Sequence, residues 1–196
     1  MPPTPALGRV LLGAAAASAF LLTAAVPAHA EPAERFLPVT NPSFTQPQLG
    51  SGYQNVSTGF NTIPGWTVTS GSVDVESAEW AKTGSPSQAV SLNGTGIGGI
   101  SQAVPTTPGR VVTVTFRYGT ETWSGCEKSR NLRFAVSGAG PDSERLFNAG
   151  APDGVRADWR TATYAFTARS RVSHLRFDSV TEGHCGAVIT DVTVEE

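Results

Sequence analysis

Outside its first thirty residues the chain has no ten-residue window in which apolar side chains recur at helical spacing free of glycine and proline, so helix is excluded as the main building material. Charge is scarce as well: 15% of residues are charged, with 14 basic against 16 acidic side chains. The arginines are spread through alternating segments and not gathered, which excludes the clustered basic surface that a phosphate backbone demands. Nucleic acid is therefore not an expected partner, and low charge suits a neutral ligand. Methionine occurs once, cysteine twice and histidine three times. Zinc-type Cys-x-x-Cys spacing, a His-Glu-x-x-His helix and a Gly-x-Ser-x-Gly nucleophile elbow are all missing.

One long apolar run is present. Arg9 precedes an almost unbroken stretch from Leu11 to Val26, and Ala28-His29-Ala30 forms a small-x-small cleavage site, the layout of an export signal. Residues 1–30 are expected to be a signal peptide and the mature chain to begin at Glu31. A retained membrane helix is the competing reading, but the run is rich in Ala, stops at Pro27 and falls short of the roughly 20 strongly apolar residues that spanning requires. No second apolar stretch lies near Thr193 to Glu196, so a secreted, extracellular product without a membrane partner is expected. Residues 31–196 suffice for a single domain. Loss of Arg9 moves the formal net charge from −2 to −3. An even pair of cysteines in an exported chain, Cys126 and Cys185, predicts one structural disulfide; the alternative is a metal site built from both with His184.

From residue 60 onward, short runs rich in Val, Thr, Ile, Phe and Tyr alternate with period 2 between clusters of Gly, Pro, Ser and Asn. In Val111 to Tyr118, the residues Val112, Val114, Phe116 and Tyr118 share one face while Val111, Thr113, Thr115 and Arg117 share the other, which predicts one buried and one wet face. Further strands are predicted over Trp66 to Val75, Gln88 to Leu92, Gly99 to Val104, Leu132 to Ser137, Thr161 to Thr167, Val172 to Ser179 and Ala187 to Val194. An edge strand is expected around Ser43 to Thr45, inside a looser Pro-rich stretch. With 21 glycines and 14 prolines as punctuation and no helices for parallel crossovers, the expected fold is all-β: an antiparallel β-sandwich, with jelly-roll topology first and an immunoglobulin-like sandwich second. The second is disfavoured because Cys126 and Cys185 fall in Gly-rich loops and not in facing strands.

Several motifs then occur in a fixed order: Asn41-Pro42-Ser43-Phe44, Pro64-Gly65-Trp66-Thr67-Val68, Gly71-Ser72-Val73-Asp74-Val75, Leu92-Asn93-Gly94, Gly99-Ile100-Ser101-Gln102, Pro108-Gly109, and Gly183-His184-Cys185-Gly186 leading into Val188-Ile189-Thr190-Asp191-Val192. Over nearly all of residues 31–196 the chain resembles the bacterial choice-of-anchor C domain, a relative of the plant cell-wall domain of unknown function with a galactose-binding-like jelly roll. The resemblance implies a secreted or surface-displayed module attached to polysaccharide. Related modules often carry a structural calcium, bound by an acidic residue after the first Phe and by an Asp in the final strand. Those places hold Thr45 and Thr190 here, with only Asp191 nearby and expected to face the other way, so no cofactor is expected, a structural calcium being the alternative.

Gly94-Thr95-Gly96-Ile97-Gly98-Gly99 formally matches Gly-x-Gly-x-x-Gly, with Glu121 at a distance suited to a ribose contact. Next along the chain come a strand and two prolines, not the helix that would hold a pyrophosphate, so the segment is read as a turn. A glycoside hydrolase needs two carboxyls across a cleft, for which Glu76, Glu79, Glu121 and Asp178 are the available acids. His174 alternates with Leu175 and is read as a water-facing strand residue. Sugar binding asks only for a flat aromatic ring and a few hydrogen-bonding side chains. Trp80 and Trp123 lie in polar, Gly/Ser-rich surroundings with Glu79, Lys82, Glu121 and Arg130 close in sequence, and these are the expected ligand contacts; Trp66, at a strand start, is expected in the core, and Trp159 is ambiguous. The reading is a non-catalytic, polysaccharide-binding module; the alternative is a structural or protein-interaction domain of the cell envelope without a glycan ligand.

Overall fold

A computed structural model describes residues 34–196 apart from 84–86, 122–124, 127–129, 138, 140–142 and 151–157. The expected signal peptide lies outside the described residues, and so does Trp123. The described strands are β1 (Phe36–Leu37), β2 (Tyr53–Ser57), β3 (Thr67–Ser70), β4 (Ser72–Glu76), β5 (Ala89–Ser91), β6 (Gly99–Pro105), β7 (Val111–Thr120), β8 (Arg130–Ser137), β9 (Glu144–Gly150), β10 (Arg160–Thr167), β11 (Val172–Ser179) and β12 (Ala187–Glu195), with one short helix, α1 (Ala78–Ala81), after β4. No helix among the described residues is long and apolar enough to cross a membrane.

The described pairings are antiparallel. They build a seven-stranded sheet in the order β10-β7-β12-β5-β4-β2, with β1 added on β12, and a five-stranded sheet in the order β3-β6-β11-β8-β9. The two layers form a jelly-roll sandwich because alternation gives each sheet one apolar face, and those faces can leave water only against each other. Val112, Val114 and Phe116 of β7 point inward, as their spacing predicts, toward Leu132, Phe134 and Val136 of β8 and Leu175 and Phe177 of β11. At the centre Phe177 lies 4.9 Å from Phe116, nearly perpendicular to it, and 4.8 Å from Phe134, separations that favour edge and tilted ring contacts. Trp66 is buried as expected, 5.2 Å from Phe44, with its indole N–H donating to the Asn41 carbonyl at 3.3 Å.

Four local expectations need correcting. Trp66 to Val75 is not one strand: β3 and β4 belong to different sheets, and the chain changes layers at Gly71. Gly71 has φ +49°, and a Cβ there would lie 2.0 Å from the Ile97 carbonyl oxygen, so alternation reads through a corner that only glycine can make. Ser43 to Thr45 forms no strand; Phe44, at φ 51°, plugs the core, its carbonyl accepting from Gln88 Nε2 at 2.6 Å, and the edge strand is β2. The strand β9 was not expected, because an edge strand with mostly exposed side chains shows little alternation. Finally, Asp191 does not face away from Thr190. A bulge between Thr190 and Thr193, with Asp191 at φ 52°, brings its carboxylate within 3.5 Å of the Thr190 hydroxyl.

That bulge decides how calcium would fare. Thr45 is exposed, the Thr190 hydroxyl donates to the Gln88 carbonyl at 2.6 Å, and Asp191 is paired with Arg117 at 3.1 Å. Burial alone would raise the Asp191 carboxyl, but hydrogen bonds from Ser43, Ser87 and Arg117 outweigh it and hold it below the ordinary carboxylate range. A single carboxylate already matched by a guanidinium does not fit a calcium ion, which needs several hard oxygen ligands.

Candidate functional site

In β4, Val73 and Val75 point into the core, so Ser72, Asp74 and Glu76 stand on the outer face of the seven-stranded sheet. Register places Tyr53 of β2 opposite Glu76, Asn55 opposite Asp74, and Ser91 of β5 opposite Asp74 from the other side. An outer face would ordinarily be wet, yet Glu76 is only 3% exposed. The segments around this end of the sheet enclose a cleft of about 290 Å³ lined by Tyr53, Trp80, Asp74, Glu76, Glu121 and Thr95, with Gly94 in its wall and exposed His184 at its border.

Local chemistry positions each wall. Helix α1 starts at Ser77, whose hydroxyl accepts from the Trp80 N–H at 3.3 Å, and ends at Lys82 in a left-handed cap. Trp159 clamps its far end: the indole N–H lies 3.2 Å from both the Ala81 and the Lys82 carbonyl oxygens, and Arg117 sits 5.0 Å over the ring. So held, Trp80 meets Tyr53 with ring centroids 5.8 Å apart and planes tilted by 43°. The turn after Asn93 crosses Ser72, and a Cβ on Gly94 or Gly98 would lie 2.2 Å from Asn55 Nδ2 or 2.1 Å from the Ser72 carbonyl oxygen. Close packing over β4 therefore explains Gly94, the first glycine of the Gly-x-Gly-x-x-Gly pattern, and Gly98, which stands at one of its variable positions.

Glu121 enters just after β7. The disulfide between Cys126 and Cys185, with Cα atoms 5.6 Å apart, ties this segment to the one carrying His184 and Gly186. Since both sulfurs are consumed in that bond, the alternative metal site of Cys126, Cys185 and His184 has no thiolate to offer, although the three ligand atoms lie within 4.8 Å. Burial pushes the Glu121 carboxyl up to about 7, against hydrogen bonds from Ser91 and the Gly186 N–H and with opposing influences from Asp74 and Arg130. The Ser91 hydroxyl contacts both Glu121 Oε1 and, at 3.0 Å, the Asn93 carbonyl. One hydroxyl proton cannot serve two acceptors, so the arrangement is complete when Glu121 itself is protonated and donates to Ser91. Burial also raises Glu76 well above its ordinary value, reinforced by the charges of Glu121 and then Asp74, and raises Asp74 against the hydrogen bond that Asn55 donates to it at 2.7 Å.

Of the residues expected to touch a ligand, Trp80 and Glu121 line the cleft. Glu79 is exposed on α1 and Arg130 is buried behind Glu121, so neither does; Lys82 is the cap of α1, and Trp123 falls outside the described residues. Among the acids considered for hydrolysis, Glu76 and Glu121 share the cleft, whereas Asp178 lies on the other sheet, paired with Arg133 at 3.5 Å and Arg176 at 2.8 Å. Tyr53, Asp74, Thr95 and His184 also line the cleft and were not among the residues expected there. The spacing Asp74-Val75-Glu76 was the available signal, since two acids flanking an inward Val share the outer face. Shallower grooves of about 390 and 500 Å³ run over the outer face of the five-stranded sheet beside His174, lined by Thr69 and Ser101 and, among the described residues, by no Trp, Tyr or Phe.

A family model described as "Protein of unknown function (DUF642)" matches residues 37–195. The chain belongs to the DUF642 family. No curated protein matches it in sequence. Solved structures similar to this DUF642 chain include one described as "CBM4 structure and function", at 16% identity and TM-score 0.48 over 80% of this chain and 98% of that one. Another is TmCBM61 in complex with beta-1,4-galactotriose, at 16% identity and TM-score 0.49 over 79% and 94%. A third is the CBM22-1 xylan-binding domain from Paenibacillus barcinonensis Xyn10C, at 16% identity and TM-score 0.47 over 74% and 96%. At such identities a likeness describes fold and carries no ligand across.

Proposed function

We propose that this protein is a secreted, non-catalytic glycan-binding module whose ligand site is the cleft between Tyr53, Trp80 and the carboxyls of Asp74, Glu76 and Glu121. The carrying observation is the pair of aromatic rings fixed 5.8 Å apart beside hydrogen-bonding side chains in a cleft of about 290 Å³. An aromatic ring offers a flat apolar surface to the C–H face of a pyranose, and carboxyls accept from its hydroxyls. The cleft volume suits one or two sugar units, so recognition of a chain end or a short stretch fits better than tracking along a long polymer face. The disulfide and the export-type leader support an extracellular setting, and the ordered motifs shared with choice-of-anchor C domains support attachment at a cell surface.

Native gels cast with a panel of soluble polysaccharides test this. One or more glycans should retard the protein, and Trp80→Ala and Tyr53→Ala should abolish the retardation while lowering the melting temperature by only a few degrees. Unaltered retardation of both variants would move the site to the grooves beside His174. Absence of retardation by every glycan would favour an envelope domain that interacts with protein.

A further inference from the structure

We propose that the cleft recognises an amine-bearing sugar, a hexosamine unit whose ammonium group sits against the Glu76 carboxylate beside the Tyr53–Trp80 pair. This rests on the glycan-binding reading of the same cleft and specifies its ligand class. The decisive feature is an asymmetry among the three acids. Asp74 receives a hydrogen bond from Asn55 at 2.7 Å, and Glu121 receives the Gly186 N–H, contacts Ser91 and has the charge of Arg130 behind it. Glu76 is 3% exposed and lines the cleft, yet among the described residues its carboxyl meets neither a hydrogen-bond donor nor a cation; only burial and the negative charges of Glu121 and Asp74 act on it. A buried acid left so costs free energy unless a partner arrives.

With no partner among the described residues, a ligand can supply one, and its chemistry is constrained by what surrounds Glu76. Asp74 faces it from its own strand, Tyr53 from β2 and Glu121 from the segment after β7, while Arg130 lies behind Glu121 and His184 stands at the border. Among the described residues no lysine or arginine lines the cleft. A sugar hydroxyl brings one donor and no charge; an ammonium group brings three donors and a full positive charge, and the faces of the two rings favour that charge further. A uronic acid would bring a further acid to the cluster and no cation. N-acetylation of the amine removes both the charge and two of its donors.

Isothermal titration of the full protein distinguishes the possibilities, using glucosamine oligomers, their fully N-acetylated counterparts, oligogalacturonate, and neutral glucan and galactan oligomers at near-neutral pH, where a share of the sugar amines still carries its proton and the Glu76 carboxyl, raised by burial, ionises more readily than in acid. The glucosamine oligomer is expected to bind about tenfold or more tightly than its acetylated counterpart, as a charge-assisted pair in a sheltered site should. Glu76→Gln should erase that preference, while Glu144→Gln, on exposed β9, should keep it. Equal or tighter binding of the acetylated, neutral or uronate oligomers, or a preference that survives Glu76→Gln, would overturn the amine assignment and leave the glycan-binding reading standing. Binding of none of them would overturn both. Because the acetylation comparison uses only the unaltered protein, a poorly folded variant would not spare the proposal.

Discussion

Glu121→Gln should make the protein more stable, and only at neutral to alkaline pH. In the folded chain this carboxyl is raised from 4.5 to about 7, so between those values the native state holds a proton that the unfolded chain has released. Stability then falls as pH rises, with the cost absent below about pH 4.5 and complete above about pH 7. A shift of this size corresponds to about 3 kcal/mol. The group is 7% exposed, so solvent screening removes little of it. Glutamine reproduces the protonated form: its carbonyl can accept from the Gly186 N–H and its amide can donate to the Ser91 hydroxyl, without ever ionising. Urea unfolding of both proteins at pH 4.5, 6 and 8 should give coincident stabilities at the lowest pH and an advantage of about 3 kcal/mol for the variant at the highest, or roughly 10 °C in melting temperature for a domain of this size. Other titrations largely cancel in the difference; relief of the repulsion on Glu76 adds in the same direction. Parallel pH profiles for the two proteins would refute the reasoning.

The same physics governs other perturbations. Gly71→Ala should destabilise the fold by about 2 kcal/mol or more, since it adds left-handed strain to a contact with the Ile97 carbonyl; a melting temperature within one degree of the original would contradict the corner. Replacing Cys126 and Cys185 together by serine opens a link between residues 59 apart and should cost about 4 kcal/mol in the chain-entropy model; urea midpoints with and without reductant check this. A chelator should leave the melting temperature unchanged, whereas Arg117→Met, which strands Asp191 without its cation, should lower it; a chelator-sensitive transition would reinstate a metal. Glycan retardation lost in Trp80→Ala and Tyr53→Ala completes the set.

Residue order made legible what each strand does to itself. Alternation in Val111 to Tyr118 sorted core from solvent because side chains on a strand leave opposite faces regardless of its partners, and a chain with two cysteines has one internal bridge to make. Trp66 was placed in the core on the same local grounds. Where the local pattern was silent, position could not be inferred: Gly71 sits inside an apparently continuous strand, and Asp191 sits on a bulge that reverses its side.

The cleft belongs to the second kind. Trp80 and Glu121 were singled out by composition and do line it, but Tyr53 sat in a Pro-rich stretch with little strand character. Its partners Glu76 and Asp74 become neighbours only through the register of β2 on β4 and β4 on β5. Whether an acid is solvated or stranded depends on which loops close over the sheet, and here that closure rests on a helix clamped by Trp159, on glycines packed against Ser72 and on a disulfide linking residues 59 apart. Sequence determined the alternation, the class of fold and the single covalent link, because each comes from near neighbours or from counting. Tertiary structure alone decided which acid has no donor or cation beside it among the described residues, because desolvation and pairing are set by atoms distant in the chain.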